Sequence, residues 1–269
     1  MTSGDASLLI LGSGTSTGVP MIGCHCPVCR SADPRNQRSR CSALIRCAGE
    51  HILIDTAPDL RFQALREGLQ QIDAVLYTHT HADHVHGIDD LRSFNRRNQQ
   101  PIPLYGAPEC VATLQRSFPY IFTPGDDSGY RPRLRLETIN GPFSIGRVPI
   151  IPLLIEHGGD EVLGYRIGNL AYLTDCNRVP AATRAALAGV KTLVIDALRF
   201  APHPTHFTIA EAIAFAQGCG MERTILTHLS HDVDARQHGA ALPPGIEFAY
   251  DGQIIPFVLP LPEPQEKTS

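Results

Sequence analysis

Thr78-His79-Thr80-His81-Ala82-Asp83-His84 follows directly on the apolar, strand-like residues 74–77. In an extended segment, side chains two apart share a side, so His79 and His81 can reach one metal ion while Asp83 and His84 follow at the turn into a helix. A solvated loop has no reason to gather imidazole beside carboxylate in this way. The zinc-protease helix does not fit either, because its two histidines are four apart with glutamate next to the first. The segment reads as one arm of a metal site at the end of a strand.

Working outward, three more ligand-type residues stand where strands should end. Asp175 terminates residues 170–174, His228 terminates 224–227, and His157 follows 148–155 in a Glu-His-Gly-Gly turn. In layered α/β folds, loops converge at strand ends and sites collect there. Short apolar runs rich in β-branched residues mark further strands at 8–11, 43–46, 51–54, 102–105, 164–167, 192–196 and 248–250. Helical patterns separate them. Residues 58–69 carry apolar side chains at 62, 65 and 69, residues 180–188 are alanine-rich behind a proline, and Thr208 with Glu211 has capping-box spacing at the head of 207–217. The interleaving predicts an α/β protein of stacked sheets and helices, with one domain over residues 1–256 and a proline-rich polar tail over 257–269. Residues 123–135 read as a loop.

Cys24, Cys26 and Cys29 place three thiolates in a short loop, 23–30, and leave a tetrahedral zinc site one ligand short. Cys41 and His231 are the candidates for the fourth. His228 and His231 are three apart, so in extended chain they face opposite sides and serve two different metals, which favours His231. The preceding Gly12–Pro20 stretch, GSGTSTGVP, lacks a P-loop lysine and fits a phosphate-approaching loop and a tight turn equally.

Composition narrows the class. The chain of 269 residues is 43% hydrophobic and 19% charged, enough to bury a core without disulfides. No apolar run approaches the roughly 18 residues a membrane helix needs. A net charge of −4 lacks the long-range footprint of a nucleic-acid binder, so no stable nucleic-acid partner is expected. No basic residue precedes Arg30 and residues 8–11 are too short for a signal core, so the expected location is cytoplasmic. All basic residues except Lys191 and Lys267 are arginine, a side chain suited to anionic ligands, and a small anionic substrate remains open.

The order His-x-His-x-Asp-His, later His, strand-end Asp, final His resembles the metallo-β-lactamase superfamily in its two-metal form. Leu53-Ile54-Asp55-Thr56 resembles that superfamily's first motif. The resemblance implies a four-layer αββα sandwich. It assigns His79, His81 and His157 to one ion and Asp83, His84 and His228 to another, with Asp175 bridging and Asp55 orienting the imidazoles. Together with the three cysteines and Thr-His-Leu-Ser-His, the pattern is similar to the cyclic phosphodiesterases of the bacterial carbon–phosphorus lyase pathway. This implies a structural zinc on Cys24, Cys26, Cys29 and His231, and two active-site divalent ions, Zn or Mn. The implied reaction is opening of a small cyclic phosphodiester such as phosphoribosyl 1,2-cyclic phosphate by a metal-activated water, with Asp83 steering its proton. The further functional histidine of those enzymes precedes a helix and matches His206, with His203 competing. A homodimer is the family expectation. The Cys-x-Cys-x-x-Cys segment also resembles pyrroloquinoline quinone biosynthesis B proteins, and thioesterases and nucleases share the scaffold.

Overall fold

Leu8-Leu9-Ile10-Leu11 is apolar without alternation because both of its faces are covered. Leu8 and Ile10 pack toward a second sheet, while Leu9 and Leu11 pack under helices. The computed structural model describes residues 6–96, 100–123 and 131–260. The chain first lays down β1 (Ala6–Gly12), β2 (Ser42–Cys47), β3 (Glu50–Ile54), β4 (Ala74–Leu76), β5 (Ile102–Gly106) and β6 (Leu134–Thr138). It then builds β7 (Phe143–Ile145), β8 (Val148–His157), β9 (Asp160–Ile167), β10 (Leu170–Leu173), β11 (Thr192–Asp196), β12 (Arg223–Thr227) and β13 (Ile246–Phe248), and returns with β14 (Ile254–Phe257). The sheets run β14-β1-β2-β3-β4-β5-β6 and β13-β12-β11-β10-β9-β8-β7. Each changes from antiparallel to parallel pairing along its width, at β3 in the first and β10 in the second.

Between the sheets lies a core of Ile45, Ile52 and Leu76 against Tyr165, Tyr172, Val194 and Ile225. The outer face of the first sheet is covered by α1 (Leu60–Arg66), a 3-10 stretch at Ile88–Arg96, α3 (Pro108–Ser117) and α4 (Pro119–Phe122), with α2 (Ala82–Val85) at the sheet's edge. The second sheet is covered by α5 (Ala181–Ala186) and α6 (Ile209–Gly218), whose Ala212 and Phe215 sit over Leu193 and Leu226. The result is the four-layer αββα sandwich. Among the described residues no helix is long and apolar enough to cross a membrane.

The sequence reading needs several corrections. The helix expected at 58–69 forms over Leu60–Arg66 but turns Phe62 and Leu65 to solvent, 69% and 65% exposed, and buries Gln63. Gln63 Nε2 donates to Ser39 Oγ (3.0 Å) and to the Arg40 carbonyl (2.9 Å), and these bonds set the helix face. The last strand of the second sheet is Ile246–Phe248, not 248–250. Strands β6, β7 and β14 and helix α3 carried too short or too polar a pattern to be noticed. β14 pairs with β1 from Ala6↔Phe257, with Pro256 facing outward as an edge position permits, and Leu259 is buried. The domain therefore runs past the expected boundary at 256. Within the expected loop 123–135, residues 124–130 lie outside the described residues, as do 261–269 of the expected tail.

Candidate metal centre

The C-terminal ends of β4, β8, β10 and β12 open onto one edge of the sandwich. There His79, His81, His157 and Asp175 bring one donor atom each within 4.8 Å of one another, and Asp83, His84, Asp175 and His228 do the same. Asp175 belongs to both groups.

Each side chain is aimed by local structure. Asp55, Asp175 and His228 follow strands with φ of 59°, 52° and 61°, a left-handed kink that turns each side chain across the strand end. Asp55 accepts from Thr78 N (2.8 Å), Thr78 Oγ1 (2.8 Å) and His84 Nδ1 (2.7 Å). With its Nδ1 so engaged, His84 presents Nε2 to the centre. Thr78 Oγ1 lies 3.0 Å from His79 Nδ1. His157 Nδ1 donates to the Thr205 carbonyl at 2.8 Å, which likewise frees its Nε2.

The facing atoms lack partners of their own. His79 Nε2, Asp83 Oδ2, His84 Nε2 and His228 Nε2 are buried without a hydrogen bond. His84 Nε2 stands 3.3 Å from both Asp83 Oδ2 and Asp175 Oδ1, and His228 Nε2 stands 3.3 Å from Asp175 Oδ1. Ligands about 2.0–2.2 Å from a tetrahedral ion are about 3.3–3.6 Å from each other. The donors are thus set for divalent ions, and the cost of leaving them bare and buried is what a bound ion removes.

Charge divides the two groups. Burial, together with the nearby His84 charge, holds His79 well below the ordinary imidazole range, and burial also lowers His157. Burial would depress His84 and His228 as well, but Asp175 and its fellow carboxylates hold His84 well above that range and His228 at about 9. Asp175 lies well below the usual carboxylate range; burial alone would raise it, but the His228 and His84 charges prevail. Asp83 is lowered too, against its burial, by the neighbouring imidazoles of His228 and His84.

Beside the centre, His206 donates from Nδ1 to Asp196 Oδ2 at 2.7 Å, and its ring lies 4.8 Å from those of both His157 and His228. Asp196 is fully buried at the end of β11; its Oδ2 also accepts from Cys176 N at 2.9 Å. His203 stands farther out, 5.0 Å ring to ring from His206, with Nδ1 turned to Thr205. Sequence reasoning passed over Asp196 and Thr78. Asp196 had a signal, a carboxylate ending a strand like Asp175; the Thr78 hydroxyl had none.

On the other side of His228, Cys24, Cys26, Cys29 and His231 form a separate group. His231 Nδ1 lies 3.3 Å from Cys24 Sγ and 3.4 Å from Cys26 Sγ, spacings suited to a shared zinc. The Cys29 backbone N–H, 3.4 Å from Cys26 Sγ, lowers that thiol to about 6, whereas burial pushes Cys29 up to about 11. Cys41 is elsewhere, sealed against Tyr172 and Thr174, where burial pushes its thiol up to about 11. The glycine loop is packing rather than a phosphate cradle. A Cβ on Gly12 would meet the Arg40 carbonyl at 2.0 Å, and the N–H groups of Ser13, Gly14 and Thr15 go to Asp251, Ser39 and Leu229.

Residues 50–229 match the family model described as a beta-lactamase superfamily domain. Among solved structures, a diphosphatase from the PhnP family superposes with a TM-score of 0.89 at 40% identity, over 95% of this chain and 98% of that one. An octanoyltransferase of Porphyromonas gingivalis is 41% identical over 249 residues, covering 91% of this chain and 50% of that protein, so this chain spans half the length of that relative. Coenzyme PQQ synthesis protein B of Methylorubrum populi is 30% identical over 229 residues, covering 70% of this chain and 72% of the relative.

Proposed function

The chain belongs to the metallo-β-lactamase superfamily, and from that premise we propose that it is a metal-dependent phosphodiesterase acting on a small cyclic phosphate such as phosphoribosyl 1,2-cyclic phosphate. The observation that carries this reading is the pair of donor groups sharing Asp175, with the His206–Asp196 pair beside both. The likeness to the PhnP-family diphosphatase across nearly its whole length supports hydrolysis at phosphorus. Bound to these groups, two divalent ions, Zn or Mn, would supply a nucleophilic water at neutral pH and neutralise the phosphate's non-bridging oxygens.

The protein's own groups do the rest. His206, with Nδ1 committed to Asp196, keeps Nε2 for substrate and passes a proton to the departing alkoxide. Asp196 fixes that tautomer and steadies the imidazolium. Asp83 would chiefly be a metal ligand and would steer the proton of the attacking water. Asp55, through Thr78 and His84, keeps imidazoles of both groups in register. The Cys24, Cys26, Cys29 and His231 group would hold a structural zinc.

The test is a panel of a chromogenic phosphodiester, a cyclic phosphodiester, a thioester and a lactam, with Mn or Zn added. Hydrolysis of the phosphodiesters is expected. Activity confined to the thioester or the lactam overturns the reading, and no turnover of any ester would move weight to the function named for the coenzyme PQQ synthesis relative. His206→Ala should lower turnover about 10²–10⁴-fold with metal content unchanged; full activity would remove its role.

A further inference from the structure

Beneath the centre, the strand ends that supply Asp175 and His228 meet a thiol. Cys41, fully buried, stands with Sγ 3.2 Å from Tyr172 Oη, 3.5 Å from Thr174 Oγ1 and 3.8 Å from Thr227 Oγ1. Thr174 and Thr227 are the residues immediately before Asp175 and His228. Cys41 itself belongs to the facing sheet's side, one residue ahead of β2, where the Ser42 hydroxyl donates to the carbonyls of Ile54 and Asp55 at 2.9 Å each. Two consecutive residues thus make contact at, or one position before, all three left-handed residues of the centre.

Counting protons gives these contacts a direction. Thr174 Oγ1 donates to Asp175 Oδ1 at 2.8 Å, and a hydroxyl has one proton to give. Across the 3.5 Å contact Thr174 therefore accepts and the Cys41 thiol donates, which leaves sulfur to accept from the Tyr172 hydroxyl. Tyr172, Cys41, Thr174 and Asp175 form one polarised line, buried throughout, that ends on the carboxylate. It ends on one particular oxygen. Oδ1 lies 3.3 Å from both His84 Nε2 and His228 Nε2, whereas Oδ2 faces His79 Nε2 at 3.8 Å. We propose that Thr174, aligned by Cys41, is the positioning residue that fixes how Asp175 is shared, with Oδ1 assigned to the ion of Asp83, His84 and His228 and Oδ2 to the ion of His79, His81 and His157. The last torsion of an aspartate is broad, so without this line the carboxylate turns and one ion loses its share. The inference rests on the two-ion part of the proposed function and not on the identity of the substrate.

Titration of chelator-treated protein with Mn²⁺, followed by electron paramagnetic resonance beside kcat and KM for a chromogenic phosphodiester, tests this in Thr174→Val, Thr174→Ser, Cys41→Ala and Cys41→Ser. The wild type should take up two Mn equivalents at the centre and show a spin-coupled pair. Thr174→Val keeps the bulk and loses the hydroxyl; it should bind the second equivalent about 10–100-fold more weakly, lose the coupled signal and fall in kcat by a similar factor with KM little changed. Cys41→Ala should show a smaller change of the same kind. Thr174→Ser and Cys41→Ser keep a donor at each link and should restore the coupled signal. If Thr174→Val does not fold, the contrast between Cys41→Ala and Cys41→Ser decides alone. A coupled two-Mn signal in folded Thr174→Val, equal loss in Thr174→Ser and Thr174→Val, or a Cys41→Ala protein indistinguishable from wild type overturns the proposal. A wild type that takes up a single Mn overturns the two-ion reading and the sharing with it. Failure to cleave the ester overturns the phosphodiesterase reading alone, because the Mn titration judges the role of Thr174 without turnover.

Discussion

Asp55, Asp175 and His228 occupy the left-handed backbone region, and all three converge on the metal centre. Such a conformation costs a residue with a side chain of order 1 kcal/mol or more; here it is offset by aiming a donor where extended chain cannot. Ala48, at φ 53°, shows the same strain without a site to serve, in the two-residue turn it forms with Gly49 between β2 and β3. Ala48→Asn should therefore raise unfolding free energy by about 0.5–1 kcal/mol in urea melts, whereas Asp175→Gly relieves similar strain and should abolish metal binding. A less stable Ala48→Asn protein would contradict the strain argument. Protonation follows from the same residues. Burial works against it, but Asp175 and Asp83 hold His228 at about 9, above the ordinary value of about 6.5. In metal-free protein its contribution to stability is full below about pH 6.5 and is lost as pH rises through about 9. Metal binding needs neutral imidazole, so it should release about two protons near neutral pH, one each from His84 and His228, and tighten as pH rises. Titration calorimetry in two buffers of different protonation heat checks this; no proton release would mean His228 and His84 are already neutral.

At the scale of elements, the β8–β9 turn is sensitive to a single methyl group. Gly158 has φ 67°, and a Cβ there would stand 2.4 Å from Thr205 Cγ2, in the loop whose carbonyl orients His157. Gly158→Ala should destabilise the fold by about 1–2 kcal/mol and weaken metal binding about 10–100-fold, measured by chelator competition; unchanged affinity would separate the turn from the centre. Helix α6 was legible because its start signal is local: Thr208 Oγ1 accepts from Glu211 N while Glu211 Oε2 accepts from Thr208 N. Helix α1 was half legible. Its extent follows from sequence, but the buried face is chosen by bonds from Gln63 to residues 39 and 40, and hydrophobic spacing carries no record of those.

Across the whole molecule, the sulfur group ties the loop of Cys24–Cys29 to His231, more than 200 residues later and three positions beyond His228. Arg38, 2% exposed, reinforces the tie by donating to the Ser230 and Val233 carbonyls on either side of His231. Cys26→Ser should lose one zinc equivalent and lower the melting temperature, with weaker loading of the catalytic group following through His228. Equal zinc content and melting temperature in that variant would falsify the structural-zinc assignment. By itself the sequence determined the donor inventory, the strand ends that carry it, and the layering, because ligand chemistry and apolar periodicity are properties of neighbouring residues. Only the tertiary structure decided that Asp196 rather than a nearer carboxylate holds His206 and that the glycine loop packs against backbone. Those relations join residues from separate strands, and no local pattern encodes the distance between two strand ends once the sheets have packed.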